Sequence, residues 1–273
     1  MFQNTRKKSL LSSVTTICEL IYHTTVRDVR STHGNAFMAL FVNISTAIIF
    51  VLAFYFMFSV LGLRGAKLRG DFLLYMMSGV FLFLTHVKAL GAVAGAAGPS
   101  SPMMQHAPMN TIISITSAAL GALYIQVLSA LIILFVYHTA FTRIEIDDPI
   151  GAFGMLLLAW FTGCGVGLLI MAAKPWFPTA VNLIQIVYTR ANMIASGKLF
   201  VANTLPGYML AMFDWNPLFH AIDQCRGYVF ANYFPRNTSV EYALIVGCVL
   251  VTIGLLAEFY TRQFASSSWY ARR

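Results

Sequence analysis

Between Ala89 and Thr142 the chain runs 54 residues without one Asp, Glu, Lys or Arg, and an equally uncharged stretch from Phe37 to Leu63 precedes it. Soluble domains do not carry such runs, so the solvent for most of this protein is lipid. A helix rises about 1.5 Å per residue and the hydrocarbon layer is roughly 30 Å thick, so one crossing takes about 20 apolar residues. The 54-residue run is too long for one helix. Near its middle stand Gly95, Gly98, Pro99, Pro102 and Pro108, and lipid-exposed backbone there could not satisfy its hydrogen bonds, which places a loop.

The pattern predicts six spans: Phe37 to Leu61, Phe72 to Val87 with an extension, Thr111 to Tyr137, Ile150 to Ala173, Pro178 to Leu199, and Tyr242 to Glu258. The fifth contains Arg190, and a charge near mid-membrane costs about 2.5 to 3.5 kcal/mol unless it faces other helices or water. A second apolar piece, Leu199 to Phe213, is broken by Pro206 and Gly207 and followed by Asp214; it is expected to be a shallow or re-entrant element. Ahead of the first span no secretory signal is expected. There Val14, Ile17, Cys18 and Ile21 recur at helical spacing, with Glu19, Arg27, Asp28 and Arg30 elsewhere on the wheel, as in a helix lying in the interface plane. The expected fold is an all-α integral membrane protein of six transmembrane helices, with an N-terminal amphipathic interface helix and short re-entrant helices between the fifth and sixth spans. Residues 1–36 form the N-terminal part, 37–262 the membrane domain and 263–273 a tail.

Composition agrees, with 58% of residues in the apolar and aromatic set and 10% charged. With the N-terminus inside, ten Lys/Arg lie there (Arg6, Lys7, Lys8, Arg27, Arg30, Lys88, Lys174, Arg262, Arg272, Arg273) and seven outside (Arg64, Lys67, Arg69, Arg143, Lys198, Arg226, Arg236). That bias follows the positive-inside rule, against which the Arg64, Lys67, Arg69 loop is a local exception. The net charge of +8 is accounted for by anchoring beside anionic headgroups, and nothing in it points to nucleic acid.

Motif chemistry is sparse. Cys18, Cys164, Cys225 and Cys248 show no paired spacing, and three of them are expected to be small buried apolar residues. His23, His33, His86, His106, His138 and His220 form no ligand pair, read as polar helix-end residues, and predict no metal site. Ser196-Gly197-Lys198 resembles part of a phosphate loop, but position 192 is Asn192 and position 199 is Leu199, so that device is missing. Ser78-Gly79 would resemble an intramembrane serine nucleophile only with Gly at position 76, where Met76 stands. No cofactor and no enzymatic activity of the chain's own are expected.

The most distinctive run lies between the fifth and sixth spans: Leu205-Pro206, then Asp214-Trp215-Asn216-Pro217-Leu218-Phe219-His220, Ile222-Asp223 and Arg226-Gly227. Asn-Pro ends one helix and starts another. Phe213, Trp215, Tyr228 and Tyr233 then read as an aromatic belt at the outer boundary, or, functionally, as an exit lip where sugar rings stack on aromatic planes.

These residues resemble the membrane permeases of ABC type-2 exporters that carry capsular polysaccharide or O-antigen across the bacterial inner membrane. Val26-Arg27-Asp28-Val29-Arg30-Ser31-Thr32-His33-Gly34-Asn35 is similar to the family's interface-helix signature. Asp71 to Phe83 is similar to the segment opening its second span. Ser196-Gly197, Leu205-Pro206 and Asn216 to Gly227 match its most recognisable run, which Lys198 interrupts. The resemblance implies a permease that forms half of a symmetric pore, pairing with a second copy and with two copies of a separate ATP-binding subunit that drives a lipid-linked or other long glycan outward. It implies that Arg27, Asp28 and Arg30, with the loop from Gly91 to Asn110, meet the ATPase, and that both termini are cytoplasmic. The candidate substrate path or exit comprises Arg190, Tyr208, Phe213, Trp215, Asn216, Pro217, His220 and Arg226. A stand-alone secondary carrier and a non-transporting scaffold are the other two readings; a carrier would favour mid-membrane ionisable residues and internal repeats, of which Arg190 alone is evident.

Overall fold

A computed structural model describes residues 10–31, 36–60, 71–96 and 110–264. The first nine residues, the His33-Gly34-Asn35 end of the interface-helix motif, the loop with Arg64, Lys67 and Arg69, residues 97–109 of the expected ATPase-facing loop, and residues 265–273 of the tail lie outside the described residues.

Every regular element among the described residues is helical. α1 spans Leu10–Ser31, α2 Ala36–Val60, α3 Phe72–Ala94, α4 Thr111–Ala140, α5 Pro149–Ala173 and α6 Pro178–Ala195. A 3-10 turn at Ala202–Thr204 and the short α7, Gly207–Leu210, lead to α8, Pro217–Val229, and α9, Val240–Phe264. Among the described residues five helices, α2, α3, α4, α5 and α9, are long and apolar enough to cross a membrane. The chain is an all-helical, multi-pass membrane protein.

α6 falls outside that group. It has 18 residues, about 27 Å at 1.5 Å per residue, and Asn182, Gln185, Arg190 and Asn192 dilute its apolar character. It ends at Ala195, so Ser196 to Leu199, expected as the end of the fifth span, is irregular backbone. α3 runs beyond Val87 to Ala94, which moves Gly91 from the expected loop into a helix.

Helix starts follow from local chemistry. Asp71 caps α3 by accepting from the backbone N–H of Leu73 (2.9 Å), and its other carboxylate oxygen accepts from the Tyr137 hydroxyl, tying α3 to the end of α4. Asp148 caps α5 by accepting from Ile150 and Gly151, with Pro149 pre-set for the first turn. Each cap satisfies donors that the helix itself leaves unpaired.

α3 and α5 form the centre of the bundle. In lipid the association of helices depends on close approach of backbones, which small residues permit. Gly163 and Gly167, one turn apart on α5, face α3: a Cβ at Gly163 would stand 2.5 Å from the His86 carbonyl oxygen, and one at Gly167 2.8 Å from that of Leu90. Gly165 lies on the opposite side, against Leu250 and Val251 of α9, which answers with Gly247 against Phe161 and Gly254 against Leu168. Polar side chains add specificity. His86, fully buried, has Nδ1 within 3.1 Å of the Ala159 carbonyl and Nε2 within 3.0 Å of the Tyr188 hydroxyl, so it joins α3, α5 and α6. The expectation of a helix-end histidine is corrected here, because three helices meet around a mid-helix position. Cys164 and Cys225 are buried as expected, whereas Cys248 is exposed on α9.

Substituting Gly163→Ala should cost about 1 to 3 kcal/mol, the usual penalty of forcing an extra methyl into a filled contact. Gly154→Ala, where an added Cβ meets nothing within 4 Å, should leave stability unchanged. Thermal unfolding of the two detergent-solubilised variants compares them.

Candidate functional site

α6 ends at Ala195, and the residues after it lie beside the interior of α3. An added Cβ at Gly79 of α3 would stand 2.9 Å from Lys198 Cβ, and Gly79 lies seven residues, about 10 Å, along α3 from its start. Irregular backbone at that depth must find donors for its carbonyls within the protein. Arg226 of α8 supplies them. Its guanidinium donates to the carbonyls of Gly197 (2.9 Å), Phe200 (2.6 Å) and Lys198 (2.6 Å) and lies 4.2 Å from the Tyr75 ring centroid. The side chain is 0% exposed. A planar cation with five donors in a fixed fork suits this cluster as no lysine could.

Two glycines allow the close fit. Gly79 leaves space on α3 for the loop, and a Cβ there would also press on Arg226 at 3.0 Å. Gly197 has a φ of 73° and faces the Phe219 ring, which a Cβ would meet at 2.5 Å. Beyond it Lys198, 1% exposed, directs its ammonium at the faces of Phe83 (3.4 Å), Phe54 (5.0 Å) and Phe50 (5.3 Å). Ring quadrupoles are its counter-charge, and no hydrogen-bond acceptor reaches its Nζ.

The Asn216-Pro217 break is a cap whose side chain faces two ways. Asn216 Oδ1 accepts from the N–H of Leu218 (3.1 Å), while Nδ2 donates to Asn192 Oδ1 (2.8 Å) and to the Ala195 carbonyl (3.1 Å). One side chain thus starts α8 and covers the end of α6. His220 receives the N–H of Ser239 on Nδ1 (3.0 Å), which puts the proton on Nε2, where it donates to the Asp214 carbonyl (2.6 Å). Asp223 accepts from the N–H of Ala202 (3.2 Å), the Tyr233 hydroxyl (2.6 Å) and Thr238 Oγ1 (2.9 Å). Burial, and then the Asp223 carboxylate, push the Tyr233 phenol well above its ordinary range.

The expected path residues therefore separate into two groups. Asn216, Pro217, His220 and Arg226 are buried and occupied with the α6–α8 junction. Trp215 is 60% and Tyr208 74% exposed, and Phe213 is half-buried against Phe200 and Phe219. Tyr233 is buried, so the expected aromatic belt keeps only part of its members at the surface. Arg190 is exposed on α6, away from this chain's own bundle, among the exposed Leu183, Ile186, Val187 and Ile194. Asp223, Lys198, Tyr75 and Gly79 belong to the junction, although the sequence reading assigned them no such role.

At α1, Arg27 pairs with Asp28 at 3.2 Å. Arg30 lies within the helix, and its side chain is outside the described residues. The stripe of Val14, Ile17 and Cys18 is exposed. α1 packs on α4 by another face, where Ser117 donates to the Ile21 carbonyl (3.1 Å) and Val29 meets Gly121.

Fold and site together define a multi-pass helical membrane protein in which a buried arginine braces irregular backbone inside the bundle. No protein-family model matches the chain. It is similar to two proteins of Escherichia coli, each called Polysialic acid transport protein KpsM. Each is 25% identical over 199 residues that cover 71% of this chain and 75% of the relative. The likeness spans most of both sequences and supports the resemblance to the permeases of ABC type-2 capsule exporters.

Arg226→Met should leave three inward carbonyls without donors at about 1 to 3 kcal/mol each, and Arg226→Lys should not restore stability, for want of the fork. Asn216→Asp, which keeps the cap acceptor and loses both amide donors, should be less harmful than Asn216→Ala, which forfeits the cap as well, worth about 1 kcal/mol. Unfolding midpoints of the purified variants give the order directly.

Proposed function

We propose that the chain is the membrane permease subunit of an ABC exporter that moves a polysaccharide across the bacterial inner membrane, with ATP hydrolysis in a separate subunit. The similarity to the KpsM proteins over 199 residues carries this reading. The sequence supports it by holding no phosphate loop of its own. The cargo is a capsular or O-antigen type glycan, lipid-linked or otherwise long.

In this reading α6 is the fifth of six spans, completed by the braced residues after Ser196, and the segment from Ala202 to Asn216 dips in from the outer surface. Two of the seven Lys/Arg that the loop count placed outside, Lys198 and Arg226, are buried in the bundle, so fewer outer charges oppose cytoplasmic termini. Two copies enclose the path. Arg190 faces it from α6, where water and an acidic glycan offset its charge. Trp215 and Tyr208, exposed beside the rigid Asn216 cap, offer ring faces for sugars at the exit. On the other face the exposed stripe of α1 lies in the interface and its Arg27, Asp28 and Arg30 end meets the ATPase.

Affinity purification of the tagged chain from its own membranes should recover an ABC ATPase, and charge reversal at Arg27 and Arg30 should weaken that recovery with the protein still inserted. Trp215→Ala should lower surface glycan roughly two- to ten-fold, the factor for one lost aromatic contact of 0.5 to 1.5 kcal/mol, at constant membrane-inserted protein. A parallel fall in glycan and protein would assign Trp215 to anchoring instead.

A further inference from the structure

A cavity of about 570 Å³ lies between α1, α2, α3 and α4, apart from the α6–α8 junction. Arg27, Asp28 and the exposed Lys88 mark its open side, and the buried Asn43 and Gln126 its inner wall. Arg27 is already paired with Asp28. Lys88 has no ion pair or hydrogen bond among the described residues, so the mouth carries an uncompensated positive charge.

Inside, Gln126 Nε2 donates to Asn43 Oδ1 (2.8 Å), and Asn43 Nδ2 donates to Ser129 Oγ (2.9 Å). Each amide group has two N–H donors and uses one, which leaves a spare donor apiece. Gly91 and Gly121 add small surfaces to a largely apolar lining. A cationic rim, spare amide donors and an apolar wall on a helix bundle in lipid fit an anionic amphiphile. Basic pockets between transmembrane helices select anionic headgroups by this chemistry.

We propose that the α1–α4 cavity is a binding site for one anionic phospholipid, its phosphate on Lys88 and its glycerol esters on the Asn43 and Gln126 amides. The acyl chains leave along the apolar wall into the bilayer. A lipid seated there props α1 against α2 and α3, on the side that its bonds to Ser117 do not reach.

Gly91 supplies a discriminating variant: a Cβ there meets nothing within 4 Å, so Gly91→Leu fills the cavity without displacing backbone. The full chain is reconstituted from equimolar phosphatidylglycerol and phosphatidylcholine, extracted in neutral detergent, and its retained lipid counted by native mass spectrometry. Wild type should retain one phosphatidylglycerol per chain in preference to phosphatidylcholine. Lys88→Gln should reduce that preference roughly five-fold, the share of one basic residue beside an anionic headgroup. Gly91→Leu, checked for an unchanged melting temperature, should lose the retained lipid; if it does not fold, Lys88→Gln decides alone. Equal retention of the two lipids by wild type, or a preference unaltered in Lys88→Gln, would overturn the proposal. So would release of phosphatidylglycerol by millimolar inorganic phosphate, which would show a plain anion site. None of these outcomes depends on transport.

Discussion

The structure depends on how Arg226 deals with backbone that is neither helical nor wet. A segment that leaves helical geometry inside a bundle exposes carbonyls to surroundings without water, at several kcal/mol for each one left unsatisfied. Arg226 answers three of them at once and rests its own charge on Tyr75. Everything nearby serves that arrangement. Gly79 and Gly197 clear the space, Asn216 fixes the start of α8 so that Arg226 arrives at the right height, and Asp223 holds Ala202 on the far side of the loop. Lys198 then has a place only because α2 and α3 present phenylalanine faces to it.

That rigidity has a functional consequence in the proposed exporter. A path for a long glycan needs a wall that holds its shape. The α6–α8 junction is braced by the hydrogen bonds of the buried Arg226, Asn216 and Asp223, and the exposed Trp215 and Tyr208 stand beside it. α1 is held to α4 by the hydrogen bond of Ser117 to the Ile21 carbonyl and by a contact at Gly121.

The long helices were legible in the sequence, because uncharged runs of more than 20 residues have few alternatives to crossing lipid. Asn216-Pro217 was legible too, since a cap followed by a proline at the first turn is a local signal. The roles of Lys198 and Arg226 were not. Counted as loop charges by the positive-inside rule, they lie buried, and only the aromatic faces of α2 and α3 and the carbonyls of a loop 26 to 29 residues away explain it. Arg190, expected to face other helices or water, is turned by α6 away from this chain's own bundle. The pairing of α3 with α5 could have been anticipated from Gly163 and Gly167, four residues apart in an apolar helix, the small-residue spacing that marks close helix contacts.

In the proposed exporter this chain is the conduit and ATP hydrolysed by another subunit drives the passage. Inverted membrane vesicles carrying the chain and its co-purified ATPase, supplied with labelled glycan outside, measure it. Glycan should become enclosed only when ATP and this chain are both present, and a protonophore should leave the rate unchanged. Uptake driven by an ion gradient without ATP, or ATP-dependent uptake undiminished when the chain is absent, would contradict it.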